Sequence, residues 1–172
     1  MSEIFEPSTP SPGRNPSNLT ALKVPPHSVE AEQAVLGGLM IDNTEWDTVS
    51  DAVLSADFYR AEHQLIFQTM TQQSEARSPI DVVTLVEALD SLNELENAGG
   101  LDYLSELAGN ARGTANIHAY TDIIRERAIL RRLISVANNI ADTGYNTGGK
   151  KAAEILNGAE QQVFNIRDER PK

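Results

Sequence analysis

The stretch Gly144-Tyr145-Asn146-Thr147-Gly148-Gly149-Lys150-Lys151 sets glycine and lysine at almost the spacing of a phosphate-binding loop. Such a loop needs Gly, four residues, Gly, Lys, and then a Ser or Thr whose hydroxyl reaches magnesium. Gly144, Gly149 and Lys150 fall in register, but Lys151 stands where the hydroxyl is required. A buried strand must also precede the glycines to aim them, with a helix N-terminus behind to meet the phosphates. The preceding ISVANNIADT has helical character, and no second strand ending in Asp is present to hold the metal. The stretch fits a turn better: Gly144 ends one helix, Asn146 to Gly149 turn the chain, and Lys150-Lys151 opens the next.

Other reactive side chains give no catalytic pattern. His27, His63 and His118 stand far apart in sequence, so folding would have to bring them together to make a metal or general-base site. His63, beside Ile66 and Phe67, reads as a partly buried helix histidine bonded locally. No Gly-x-Ser-x-Gly nucleophile signature exists, and no cysteine is available for a thiolate metal site or a disulfide. Catalytic, cofactor-binding and metal residues are all expected to be absent. Arg125, Arg127, Arg131 and Arg132 place four cations in eight residues, interrupted by Glu126. They suit a solvated helix face, ion pairs within or between subunits, or contacts to nucleic-acid phosphates.

These groups must be positioned by helices. The chain has 172 residues, enough for a real core, and 40% are apolar. The balance of 14 basic to 25 acidic residues, net −11, has the wrong sign for a protein whose main task is gripping phosphate backbones. It favours basic or apolar protein partners. No membrane-length apolar run and no signal peptide are seen, which suits a cytoplasmic protein. Residues 1–22, with four prolines among polar residues, read as a disordered tail.

From residue 23 onward every strong signal is helical, and the expected fold is all-α. Ser28 caps a helix carrying Ala31, Val35, Leu36, Leu39 and Met40. Gly37-Gly38 inside it costs about 1 kcal/mol of helix propensity per glycine, which points to another backbone packing close. Asn43 or Thr44 opens a short segment with Trp46, Val49 and Val53, and Asp57-Phe58-Tyr59 leads into a helix with His63, Ile66, Phe67 and Met70. Pro79 and Asp81 stop and restart the chain before Val82, Leu85, Leu89 and Leu92, and Gly99-Gly100 precedes a helix with Leu101, Leu104 and Leu107. These elements form a small helical bundle over residues 23–112.

Residues 113–172 differ. Asn116 opens a long helix to about Thr143, and a second runs from about Lys151 to Ile166. Its Ala152, Leu156, Ala159, Val163 and Ile166 step at heptad spacing. A short turn makes the two an antiparallel helical hairpin. The first helix carries Tyr120, Ile123, Ile124, Leu130, Leu133, Ile134, Ala137, Ile140 and Ala141, a band wider than one facing helix needs. Leaving it bare would be an aggregation liability, so a second copy or another partner is expected to cover it.

The segment KVPPHSVEAEQAVLGGLMID, Lys23 to Asp42, closely resembles the opening of bacterial replicative DNA helicases of the DnaB type. DFY at Asp57, HQLIF at His63, PID at Pro79, GGLDYLSEL at Gly99 and ANIHAYTDIIRERAILRRLISVANNIA from Ala115 follow in the same order. The resemblance implies a helical N-terminal domain alone, without the linker and the ATP- and magnesium-dependent motor that drives 5'-3' unwinding. It implies no catalysis in this piece. It also implies pairing through the hairpin, three pairs forming a collar on a hexamer, and docking of the C-terminal helicase-binding domain of primase. Loader or phage proteins are further partners of that family, and DNA contact would be weak. Tyr103, Tyr120, Ile124, Ile134, Ile140, Leu156 and Val163 are the candidate interface residues; Ile134, Ile140 and Leu156 match family positions that support primase contact or hairpin integrity. The alternative is an independent single-stranded DNA-binding domain using the Arg125–Arg132 cluster.

Overall fold

The computed structural model describes residues 23–168, so the tail expected over 1–22 and the last four residues of the chain lie outside it. Among the described residues there is no strand. Seven α-helices follow one another among the described residues: α1 Val29–Ile41, α2 Trp46–Ala52, α3 Ala61–Glu75, α4 Val82–Ser91, α5 Gly100–Gly109, α6 Ile117–Tyr145 and α7 Ala152–Asp168. Short 3-10 turns at Asn43–Glu45, Ser55–Asp57 and Glu96–Ala98 link them. The all-α bundle followed by a hairpin is therefore the observed architecture.

Helix starts obey local chemistry. The Ser28 hydroxyl accepts from the Ala31 amide at 3.2 Å and caps α1. Asp81 caps α4 reciprocally with Thr84, through Thr84 N to Asp81 Oδ1 at 2.9 Å and Asp81 N to Thr84 Oγ1 at 3.1 Å. Asn43 has another task than the helix opening expected of it. Asp42 caps that turn, its carboxylate accepting from the Thr44 amide at 3.0 Å. The Asn43 amide instead donates to the carbonyls of Leu39 and Ile80 and accepts from the Ile80 amide at 2.9 Å, pinning the loop before α4 onto α1. α6 and α7 each end two residues later than expected, within normal end fraying.

The head is built around α1. Val35, Leu36 and Leu39 are fully enclosed with Phe58, Ile66, Met70, Leu85, Leu89 and Leu104 from the helices around them. Phe67 stands 4.9 Å from Phe58 and 5.2 Å from Trp46, in the tilted arrangement aromatic rings favour. The first turns of α6 complete this core through Ile117, Thr121, Ile124 and Ala128. The division expected at residue 113 is thus one of connectivity, while head packing continues to Ala128.

The glycine pair in α1 has the role inferred for it. A Cβ on Gly37 would collide with the backbone carbonyl of Leu107, because α5 crosses α1 there. Gly38 has only ordinary contacts, the nearest at 3.4 Å to Ile117 Cδ1. Gly37→Ala is expected to destabilise the domain by about 1–3 kcal/mol through overpacking. Gly38→Ala should be near neutral, since clash is slight and about 1 kcal/mol of helix propensity is gained. Thermal melts of the two variants check this; equal melting points would remove the close-approach explanation.

Candidate protein-interaction surface

α6 runs 29 residues, about 43 Å of helix, and only its first part is covered by the head. Beyond Ala128 no residue of α6 is fully buried, and no described residue of α7 is. The two helices meet through half-buried Val136, Ile140 and Thr143 on α6 and Ile155, Ala159, Gln162 and Ile166 on α7. Asn139 Nδ2 donates to Gln162 Oε1 at 2.8 Å across them. The heptad spacing expected to form one face of α7 divides in two. Ala159 and Ile166 turn toward α6, while Leu156 and Val163 face outward. A seven-residue repeat shows that a side is apolar and leaves open which neighbour it meets.

The outward face is apolar on both helices. Leu130, Leu133 and Ile134 on α6 are exposed, Ile134 by 47%. Leu156, Val163 and Phe164 on α7 are exposed, Leu156 by 60% and Phe164 by 62%. Phe164 lies one position off the heptad repeat, which is why spacing alone passes over it. Single exposed apolar residues are ordinary, whereas a run along two paired helices marks an interaction surface.

The other sequence candidates divide. Ile124 is 2% exposed and belongs to the head core, so it is corrected out of the interface set. Its side of α6 is covered by the head because α6 begins inside it. Ile140 sits inside the hairpin, where it holds the two helices together. Tyr103 is half-buried and Tyr120 partly exposed, and both line a cleft of about 690 Å³ between α1, α5 and the start of α6, with Glu30, Gln33 and Arg112. Gly148 and Gly149 adopt positive φ in the turn at the hairpin tip, and Gly144 lies within α6. Helix, not strand, leads into this turn.

Behind Tyr103 lies a buried polar chain. His63 is entirely enclosed, with Nδ1 2.7 Å from Glu32 Oε1 and Nε2 2.5 Å from the Tyr103 hydroxyl. Glu32, also buried, accepts from the Tyr59 amide at 2.8 Å and the Arg60 amide at 3.4 Å. An ionised carboxylate can only accept, so Nδ1 donates to Glu32, and Nε2 shares a hydrogen bond with the Tyr103 hydroxyl. Local bonding was expected for His63; its partners are 31 and 40 residues away. Glu32 shares the α1 face of Leu36 and Leu39, four and seven residues on, and a carboxylate in an apolar stripe is itself a sign of a buried partner. The three histidines do not converge, and no group of three His, Cys, Asp or Glu able to hold a metal occurs among the described residues.

The arginine cluster is used within the chain at its C-terminal half. Arg131 donates to the carbonyls of Pro26 at 2.8 Å and Asp57 at 2.5 Å, and Arg132 forms an ion pair with the buried Asp57 carboxylate. Burial pushes the Arg131 guanidinium below its ordinary pKa, while the carboxylates of Glu32 and Asp57 pull it back up. Arg125 and Arg127 are half-buried on the same helix. No helix among the described residues is long and apolar enough to cross a membrane.

Comparison with known proteins places this geometry. Residues 24–126 match the family model described as the DnaB-like helicase N terminal domain. The chain is 48% identical over 149 residues to the replicative DNA helicase DnaB of Haemophilus influenzae, covering 87% of this chain and 32% of that protein. It is 53% identical over 154 residues to the DnaB of Buchnera aphidicola subsp. Schizaphis graminum, covering 90% and 33%. The chain thus spans about a third of the length of these relatives. The crystal structure of the N-terminal domain of DnaB helicase from Mycobacterium tuberculosis superposes with a TM-score of 0.79 at 31% identity, over 83% of this chain and 99% of that one. The N-terminal domain of DnaB helicase from Helicobacter pylori, studied with its interactions with primase, shares the fold with a TM-score of 0.60 at 23% identity, over 67% and 90%.

Proposed function

Because the chain belongs to the DnaB-like helicase N-terminal domain family, we propose that it is a non-catalytic collar module of a replicative helicase in the cytoplasm. It pairs with a second copy through the outward face of its hairpin, and three pairs cap a hexameric motor. The same collar docks the C-terminal helicase-binding domain of primase; loader or phage proteins are candidate competitors for that surface.

One observation carries this reading. The head has a finished core without the outer hairpin face, yet that face presents Leu133, Ile134, Leu156, Val163 and Phe164 to solvent. Each is about half-exposed and gains roughly 0.7–1.5 kcal/mol on full burial, so an association that covers several of them on both partners is favoured. The acidic net charge of −11 supports a scaffold for proteins more than a grip on DNA. Arg131 and Arg132, engaged with Pro26 and Asp57, weaken the alternative of a DNA-binding arginine stripe. The Gly144–Lys151 turn is proposed to hold no nucleotide, so ATP and magnesium belong to the motor portion of the longer relatives.

Native mass measurement of the full chain, alone and mixed with the C-terminal domain of a bacterial primase, tests the docking half. A new species at the summed mass is expected. Retention of separate masses at concentrations well above micromolar would overturn the primase assignment.

A further inference from the structure

The hairpin leaves the head at a defined point. Ala128 is the last buried residue of α6, and Arg131 and Arg132 then reach back to the 3-10 turn Ser55–Asp57. Asp57 is 3% exposed, and its oxygens are fully used. Oδ2 accepts from the Leu54 amide at 2.8 Å, Oδ1 pairs with Arg132, and the backbone carbonyl accepts from Arg131 at 2.5 Å. The second Arg131 nitrogen bonds the Pro26 carbonyl at 2.8 Å, tying in the segment that precedes α1. Its guanidinium carbon lies 5.5 Å from the Tyr59 ring centroid, and that ring stacks on His27 at 4.0 Å.

Three separate segments, Pro26-His27, Asp57 to Tyr59 and α6, therefore meet at two arginines. The buried Asp57 carboxylate pairs with the partly exposed Arg132, and the carboxylates of Glu32 and Asp57 favour the charged form of Arg131. Planar guanidinium forks fix direction as well as distance, which flexible ammonium groups do not. From this point α6 continues past Arg132 for about 20 Å without enclosure by the head, so a 10° change at the base would move the tip by about 3 Å.

We propose that Arg131, Arg132 and Asp57 form a latch that fixes the direction in which the hairpin leaves the head. The latch acts within one chain and holds whatever covers the hairpin. Its loss loosens the hairpin's direction while the apolar core, to which none of the three contributes an apolar side chain, keeps the head folded.

The chain has no cysteine, so two introduced ones report without interference. Glu75→Cys at the end of α3 and Lys151→Cys at the hairpin tip are both exposed positions. Spin labels there, diluted with unlabelled chain so that distances are intramolecular, give a distance distribution by pulsed electron resonance. The parent should show one narrow peak. Arg132→Gln should broaden it by at least about half, as the unbroken helix tilts and bends more freely where it leaves the head. Arg131→Lys keeps the charge, and hence the fold, but loses the fork; it should broaden the peak less. Circular dichroism verifies that each variant is helical. A folded variant pair with the parent's distribution, or a parent already as broad as its variants, overturns the latch.

Discussion

Ile134→Glu is expected to abolish self-association of this chain while leaving its head intact. Ile134 is 47% exposed on the outward face of α6 and is not a member of the core cluster. Its replacement should therefore leave the melting of the isolated protomer nearly unchanged. In a symmetric pair the substitution acts twice, because the same patch serves both partners. Ile134 is already about half-buried, so the two lost burials are about 0.7–1.5 kcal/mol each and weaken pairing by at least about tenfold, before the cost of desolvating two carboxylates. Sedimentation velocity across a dilution series reads this directly. Unaltered dimers would place the pairing surface elsewhere, and Leu156→Glu would then be uninformative as well, since it lies on the same outward face.

Glu32→Ala should act oppositely, lowering stability with no direct effect on the surface. Removing the carboxylate leaves the buried His63 Nδ1 and the Tyr59 amide without their acceptor. It also removes a negative charge from beside Arg131. Breaking a buried charged interaction typically costs about 3–5 kcal/mol. That is a large share of a domain's total stability and lowers the melting temperature by about 10 °C for a chain of this size. Glu32→Gln keeps one acceptor oxygen and the volume, and should lose less. Calorimetry on the two variants tests the network: if Glu32→Ala melted with the parent, the chain Tyr103–His63–Glu32 would have no structural weight.

The two predictions separate what the sequence made legible from what it did not. Ser28 and Asp81 cap helices whose apolar stripes begin within one turn, so their signals are local and readable. The glycine pair of α1 was readable too, because a helix-weakening residue on an otherwise apolar face needs a steric reason, and Leu107 supplies it at Gly37. The hairpin followed from two long periodic segments around a Gly-rich turn. The family resemblance rested on several ordered blocks, and the match over residues 24–126 establishes the family.

What escaped was set by partners distant in the chain. His63 meets Glu32 and Tyr103 from other helices, and neither spacing nor composition encodes such convergence. Asp57 looked like part of a helix lead-in and is the anchor for two arginines from α6. Ile124 and Ile134 belong to one wide apolar band of α6, yet the head buries only the side bearing Ile117, Thr121, Ile124 and Ala128, leaves Tyr120 37% exposed, and leaves everything past Ala128 open. Periodicity gives the angular width of an apolar face, and only the folded head shows which side of it, and how much of its length, is already satisfied. The same limit explains Val163 and Ile166, three residues apart on α7, of which one faces outward and the other toward α6.

The central claim is that one protomer cannot cover its own hairpin. Sedimentation equilibrium of the unmodified chain, from micromolar to near-millimolar concentration, addresses it most directly. The account predicts a mass that rises with concentration from about 19 kDa to twice that value or beyond. A mass fixed at one protomer across the whole range, in a protein verified as folded, would contradict it.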